Sequence, residues 1–155
     1  MGRDSHRLGG MGEVVIEVAE KATEQLAETV SALNRQLSSK PRTLSIDELA
    51  ELIESQAARL LVAYLDGALV GMLTLVTYAI PTGVRARIED VVIDEAARGR
   101  GVAFELTEAA VALARRAGAR TVDLTSRPER EAANRLYRRA GFDVRESVTY
   151  RRTLD

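Results

Sequence analysis

The stretch from residue 88 to residue 117 constrains the fold of this chain most. Its run Val91-Val92-Ile93 is unbroken and apolar, which is typical of a strand that is buried on both faces. A glycine-rich loop follows at 98–101, and apolar residues then recur at helical spacing until Gly118. A buried strand that leads through a loop into an amphipathic helix needs a sheet covered by helices. The pattern therefore predicts an α/β protein with this strand near the middle of its sheet.

The remaining segments predict a mixed sheet with hairpins first and crossovers later. Asp66-Gly67 lies between two apolar runs and is a strong hairpin signal. Ser45 to Glu48 and Ser126 to Glu129 both have the capping-box pattern that opens a helix. The predicted elements, in chain order, are a strand at 13–19, helices at about 22–37 and 45–54, strands at 59–66, 68–78 and 85–94, a helix at 102–117, a strand at 121–125, a helix from 126 to about 140, and one or two closing strands within 142–154.

Composition excludes several classes of function. The 155 residues contain no cysteine and a single histidine, His6, so we expect no disulfide, no thiolate nucleophile, no histidine base and no metal site. The net charge of −1 arises from 22 basic and 23 acidic residues that are scattered along the chain, which argues against a nucleic-acid partner. No apolar run approaches the ~20 residues that span a bilayer, so we expect no membrane association and a cytoplasmic protein.

The first residues differ from the rest. Residues 1–11 are rich in glycine and poor in large apolar groups, and we expect them to form a flexible leader. Residues 12–155 are enough for one ordinary domain. No internal repeat or linker divides them.

The glycine loop is a candidate phosphate site. Glycines allow the backbone to approach a ligand, and the start of a helix offers free N–H groups and the positive end of its dipole. A Rossmann fingerprint would need a small residue where Phe104 stands, and a P-loop would need Gly-Lys-Ser/Thr, which is absent. Both of these nucleotide-binding motifs are therefore excluded.

What does fit is Arg98-x-x-Gly101-x-Ala103, which resembles the pyrophosphate loop of the GNAT acetyltransferase superfamily. The resemblance implies an α/β GNAT fold, with a mixed, mostly antiparallel sheet that is splayed centrally and about four helices. It also implies acetyl-CoA as co-substrate, held by loop amides at the diphosphate and by strand backbone along the pantetheine arm. The implied cofactor-binding residues are Val91, Val92 and Ile93 in the strand, and Arg98, Gly99, Arg100, Gly101, Val102 and Ala103 in the loop.

A second match lies near the end of the chain. Asn134 to Phe142 resembles the family's late segment of helix, tyrosine and Gly-Phe. The resemblance assigns Tyr137 as the acid that protonates the departing CoA thiolate. Family members often have asparagine seven residues before this tyrosine, where this chain has Arg130, whose guanidinium is suited to a phosphate. Arg130 and Asn134 are therefore further cofactor-binding candidates.

Carboxylates near the predicted acetyl position are candidates for the base. Amine acetylation requires loss of a proton, because only the neutral amine has a lone pair to give. Glu89 and Asp90 are the candidates, and Ile88 to Val91 resembles the corresponding strand in glucosamine-phosphate N-acetyltransferases. Asp123, on the next strand, stands where those enzymes have an active-site aspartate, and the resemblance makes Glu89, Asp90 and Asp123 candidates for binding the substrate. Successive strand residues point to opposite faces, so Glu89 and Asp90 share a face only if a bulge intervenes. Glu89 is the favoured base, although either residue could instead pair with Arg85 or Arg87.

The resemblance thus predicts an N-acetyltransferase that transfers the acetyl group directly to a primary amine of a small molecule, such as an amino sugar or a polyamine. Two alternatives stay open. One is a protein acetyltransferase acting on a lysine or an N-terminus, which would need an open groove beside residues 81–84. The other is a CoA-binding module without catalysis. Family members often form dimers through their late strands, so the resemblance also implies a homodimer.

Overall fold

The computed structural model describes residues 13–154. The leader predicted at residues 1–11 lies outside this range. The chain divides after Thr125 into two compact units, and we describe each by itself. The first unit contains the sheet and three helices, and the second contains the last helix and the C-terminal segment.

The sheet of the first unit has five strands in the spatial order β1-β2-β3-β4-β5. Neighbours are antiparallel from β1 to β4, and β5 is parallel to β4. The mixed, mostly antiparallel sheet predicted from the sequence is confirmed. The strands are β1 (Val14–Val18), β2 (Ala58–Leu65), β3 (Ala68–Ile80), β4 (Gly83–Ile93) and β5 (Val122–Asp123).

Helices cover both faces of this sheet. The α-helices of this unit are α1 (Glu24–Leu37), α2 (Ile46–Glu54) and α3 (Val102–Arg116), and the second unit contains α4 (Glu131–Arg139). Buried side chains of α1 and α2 pack with Met72 of β3 and Val92 of β4. Gly71, the residue before Met72 in β3, faces the other way, where a side chain would contact Leu106 of α3. The strands are therefore apolar on both faces because both faces are buried.

Two local sequence signals give the predicted structure. Asp66 and Gly67 adopt φ of 50° and 85° and connect β2 to β3, as expected for a two-residue hairpin turn. At the start of α2, the Ser45 hydroxyl accepts a hydrogen bond from the Glu48 amide at 3.1 Å. Both signals depend only on neighbouring residues, which is why the sequence predicts them well.

The capping box predicted at Ser126 is wrong. α4 begins at Glu131, its N-cap residue is Arg130, and the Ser126 hydroxyl is buried without a hydrogen-bond partner in the described chain. A helix starting after Ser126 would need Arg127 in the helical region, and Pro128 disfavours that conformation in the residue before it.

The closing strands predicted within 142–154 are also wrong for the described chain, in which no strand follows Asp123. The alternation of apolar and polar residues does suit an extended backbone. However, Val144, Val148 and Tyr150 are all exposed, and a strand forms only where a neighbouring strand accepts its hydrogen bonds. An alternation of apolar and polar residues predicts an extended backbone, but it does not show whether a neighbouring strand is there to pair with it.

Candidate functional site

A β-bulge interrupts β4 in the middle of the segment predicted to bind the acetyl group. Met72 of β3 pairs with Val92, but Thr74 pairs with Glu89, so two β4 residues lie opposite Leu73. Asp90 takes up the extra length with φ of 53°, in the left-handed region that Asp and Asn enter more readily than most residues. A bulge leaves a backbone group outside the ladder. Glu89 and Asp90 could share a face of the sheet only if a bulge intervened, and that bulge is present.

The two carboxylates at the bulge have different environments. Glu89 receives a hydrogen bond from the Nε of Arg87 at 2.5 Å, so it is the residue held in the ion pair. Asp90 makes no ion pair in the described chain. Loss of water around its carboxyl raises the pKa of Asp90 above its usual range, and the adjacent charge of Glu89 raises it further. Asp90 therefore holds a proton more readily than an ordinary aspartate.

The bulge lies where β4 loses its neighbour on one side. β5 pairs with β4 only at Ala86↔Val122 and Arg87↔Asp123, whereas β4 continues to Ile93. Val91 and Ile93 are consequently half-buried, and only Val92 is buried, which corrects the expectation that all three are enclosed on both faces. One edge of this part of β4 can accept hydrogen bonds from a ligand. Asp123 lies in register with Arg87, two residues before Glu89.

The glycine loop ends at an uncapped helix. Gly101 is the N-cap residue of α3 with φ of 81°, and no side chain accepts a hydrogen bond from the first amides of the helix. Gly99 has φ of 79°, and a methyl group built on either glycine would meet no atom within 4 Å. These glycines are therefore needed for backbone conformation rather than for lack of space. The free amides and the positive helix end can bind an anion.

Side chains of the loop and of α1 hold this loop in place. Arg98 donates from its Nε to the carbonyl of Ile93 at 3.3 Å, which joins the loop to the end of β4. Gln36 of α1 accepts a hydrogen bond from the Glu95 amide at 3.0 Å. The guanidinium of Arg100 lies 4.0 Å from the Asp66 carboxylate at the surface. Sequence analysis missed Gln36, because only tertiary structure brings α1 to this loop.

The second unit contains Tyr137, Arg130 and Asn134. The ring of Tyr137 is buried, and it meets Phe142 edge-on with centroids 6.0 Å apart. Burial raises the pKa of Tyr137, and the positive charge of Arg130 opposes that rise. The side-chain amide of Asn134 donates to the carbonyl of Arg127 at 3.1 Å.

Ser126 has an environment that the sequence analysis did not predict. The buried hydroxyl of Ser126 was interpreted as a helix cap, and no group of the described chain satisfies it. A buried polar group without a partner is uncommon in folded proteins. The position of Ser126 shortly after β5 did not indicate that its hydroxyl would be buried.

The family model described as "Acetyltransferase (GNAT) family" matches residues 11–142. The chain belongs to the GNAT acetyltransferase family. This confirms the resemblance drawn from the glycine loop and the late tyrosine, and it makes the chain a member of a family of N-acetyltransferases. Among the curated proteins, no sequence matches this chain.

Solved structures share the same fold. A transcriptional regulator from Bacillus halodurans is 26% identical, with a TM-score of 0.74 and coverage of 90% of this chain and 99% of that one. Glucosamine-6-phosphate N-acetyltransferase from Arabidopsis thaliana is 17% identical, with a TM-score of 0.75 and coverage of 92% and 99%. An aminoglycoside N-acetyltransferase in complex with CoA is 20% identical, with a TM-score of 0.74 and coverage of 94% and 98%.

No helix of residues 13–154 is long and apolar enough to cross a membrane. Within the same range, no group of three or more acidic or histidine side chains is arranged to hold a metal ion.

Proposed function

We propose that this GNAT protein transfers the acetyl group of acetyl-CoA directly to a primary amine of a small molecule. The observation that carries the proposal is the sequence of features along one segment, in which the β4 bulge at Asp90 is followed by the uncapped glycine start of α3. Together they offer free backbone groups for a carbonyl and for a diphosphate, separated by the end of β4, a short 3-10 turn and the glycine loop.

In this proposal the amides from Gly99 to Ala103 bind the diphosphate of acetyl-CoA, since the Arg98 amide already donates to the carbonyl of Glu95. The charges of Arg98 and Arg100 strengthen that attraction. The backbone from Val91 to Ile93 pairs with the pantetheine arm on the side that β5 leaves open. This mode of binding needs no polar side chain on the strand, in agreement with the sequence Val-Val-Ile. Arg130 and Asn134 are further candidates for contact with CoA.

The proposed reaction uses the carboxylate at the bulge as base and the tyrosine assigned by the family resemblance as acid. Asp90 accepts the proton of the ammonium, directly or through water, and the neutral amine attacks the acetyl carbon. The new C–N bond forms, the carbonyl electrons move to oxygen, and a free N–H of the bulge stabilises the oxyanion. The C–S bond then breaks, Tyr137 donates its proton to the thiolate, and the nitrogen of the new amide loses its second proton. Asp90 is a better candidate base than Glu89, since Glu89 is held by Arg87 while Asp90 has the raised pKa.

A small cationic acceptor is supported by the charges around the bulge. Asp90 and Asp123 are carboxylates on or beside β4 with no ion pair in the described chain, and they attract an ammonium group, whereas Arg87 offsets the charge of Glu89. The solved relatives include enzymes named for an amino-sugar phosphate and for aminoglycosides, which are small molecules with amines. The regulator among the relatives keeps the non-catalytic module as the second candidate.

Release of CoA from acetyl-CoA, measured with amino sugars, polyamines, aminoglycosides and a lysine peptide as acceptors, tests the proposal. We expect turnover that depends on a small amine, with loss of about 100-fold in Asp90→Asn and in Tyr137→Phe, the usual range for removing a general acid or base. Asp47→Asn, on the exposed first turn of α2, is the matched control and should leave turnover unchanged. Turnover with the peptide alone would indicate a protein acetyltransferase, and CoA binding without any turnover would indicate the module.

The cytoplasmic location and the homodimer stay predictions. Size-exclusion chromatography with light scattering at several protein concentrations would measure the oligomeric state.

A further inference from the structure

Arg130 and Tyr137 lie on the same face of the last helix. Arg130 is the N-cap residue of α4, and Tyr137 follows seven residues later, about two helical turns along. Long side chains in a helix lean toward its N-terminus, so the Tyr137 hydroxyl lies closer to Arg130 than their Cα atoms do. An arginine side chain is long enough to cover the remaining distance.

The backbone of Arg130 is held firmly by its neighbours. Its N–H donates to the carbonyl of Arg127 at 3.1 Å, and its own carbonyl accepts from the Asn134 amide at 3.0 Å. The side-chain amide of Asn134 donates to the same Arg127 carbonyl. The exposed guanidinium of Arg130, by contrast, forms no ion pair within residues 13–154. Its charge is therefore free to act on a nearby group.

The ring of Tyr137 is buried, but its hydroxyl is accessible to solvent. The ring is only 8% exposed and packs edge-on against Phe142. The hydroxyl has no hydrogen-bond partner in the described chain, yet it is not among the atoms sealed from solvent. Arg130 is the charged residue whose field acts on it, and that field lowers the pKa of Tyr137 against the rise caused by burial.

We propose that Arg130 acts through Tyr137 as a positioning residue, its guanidinium stabilising the phenolate that forms when Tyr137 protonates the CoA thiolate. The proposal rests on the proposed function. In this step the O–H bond of Tyr137 breaks, the S–H bond of CoA forms, and the electron pair stays on the phenol oxygen. The second proton, which the nitrogen of the new amide loses, then returns to the phenolate through solvent, while Asp90 releases the first proton to solvent. An uncharged residue at position 130 could not supply this stabilisation.

Spectroscopic titration of the full chain tests the proposal without any need for activity. Phenolate absorbance is followed against pH in the wild type, Arg130→Gln and Arg130→Lys, and each curve is compared with the same protein carrying Tyr137→Phe to isolate the one tyrosine. We expect Arg130→Gln to raise the pKa of Tyr137, because a positive charge nearby is removed, and Arg130→Lys to keep most of the effect. Arg135→Gln, two residues before Tyr137 and on another face of α4, is the control and should shift nothing. An unchanged pKa in Arg130→Gln overturns the proposal.

Steady-state kinetics separate this role from simple binding of CoA. We expect Arg130→Gln to lower kcat about tenfold with little change in the KM for acetyl-CoA, and to have no further effect when Tyr137 is already Phe. A higher KM with unchanged kcat would mean that Arg130 contacts a phosphate, which also overturns the proposal. If Tyr137→Phe alone leaves kcat unchanged, the acid assigned under the proposed function is wrong. A failed titration in an enzyme that does depend on Tyr137 refutes the role of Arg130 only.

Discussion

At the scale of single residues, Asp90 combines two features that would each be unfavourable in an ordinary strand. It has a left-handed backbone conformation, and its pKa is raised by loss of water and by Glu89. Residues held in such conformations cluster at functional sites. Sequence analysis placed Asp90 among the candidates but favoured Glu89, because neither the bulge nor the ion pair between Glu89 and Arg87 is visible in the sequence.

The pH dependence of activity should identify the base. Asp90 accepts a proton only when ionised, so kcat/KM should fall as pH drops below its raised pKa. Replacing Glu89 with Gln removes the neighbouring negative charge, which lowers the pKa of Asp90 and moves this acidic limb to lower pH. A limb that survives in Asp90→Asn but disappears in Glu89→Gln would make Glu89 the base.

Asp90→Asn should lower activity without lowering stability. Because the pKa of Asp90 is higher in the folded protein than in the unfolded one, its ionisation reduces the free energy of unfolding as pH rises through the raised pKa. Asp90→Asn removes that loss, and asparagine also tolerates positive φ. Denaturant unfolding at neutral pH should show a variant at least as stable as the wild type although it is inactive. A marked loss of stability would mean that the Asp90 carboxylate has a structural role.

At the scale of elements, the sequence predicted well those features that depend on neighbouring residues. The Asp66-Gly67 turn, the cap at Ser45 and the glycine start of α3 all follow from local conformational preferences. The late helix began five residues beyond its predicted cap because Pro128 restricts Arg127, which was a local signal that the capping pattern obscured. The bulge in β4 depends on register with β3 and has no such signal.

At the element scale, Gly67 and Gly101 have similar backbone conformations, so the same substitution at each distinguishes an effect on stability from an effect on CoA binding. Gly67 and Gly101 have φ of 85° and 81°, and neither has an atom within 4 Å of a built methyl group. Changing either to alanine should cost about 1–2 kcal/mol in the free energy of unfolding, the cost of a left-handed residue. Only Gly101→Ala should also weaken CoA binding, measured by titration calorimetry, since it alters the start of α3. Equal CoA affinity in both variants would exclude the helix start as the diphosphate site.

At the scale of the whole molecule, exposure to solvent differs between the sheet and the C-terminal segment. Leu61 in β2 is fully buried, whereas Tyr150 is 92% exposed. The fold class could be predicted because strands buried on both faces and amphipathic helices recur along most of the chain. The state of residues 143–154 could not, since their alternation of residues specifies no neighbour.

Substitutions at these two positions should differ accordingly. Leu61→Ala should lower the free energy of unfolding by about 2–5 kcal/mol, because it leaves a cavity in the core. Tyr150→Ser should change it by no more than about 0.5 kcal/mol, as for other exposed sites. Chemical denaturation of both variants measures the difference. A large loss in Tyr150→Ser would show that the C-terminal segment is packed in solution.

Direct transfer from acetyl-CoA to an amine is the central claim of this account, and initial-velocity kinetics with both substrates varied test it most directly. Both substrates must be bound together, and the chain has no cysteine to carry the acetyl group between them. Double-reciprocal plots at several acceptor concentrations should therefore give intersecting lines. Parallel lines, together with an acetylated form of the protein in its intact mass, would show a covalent intermediate and contradict direct transfer.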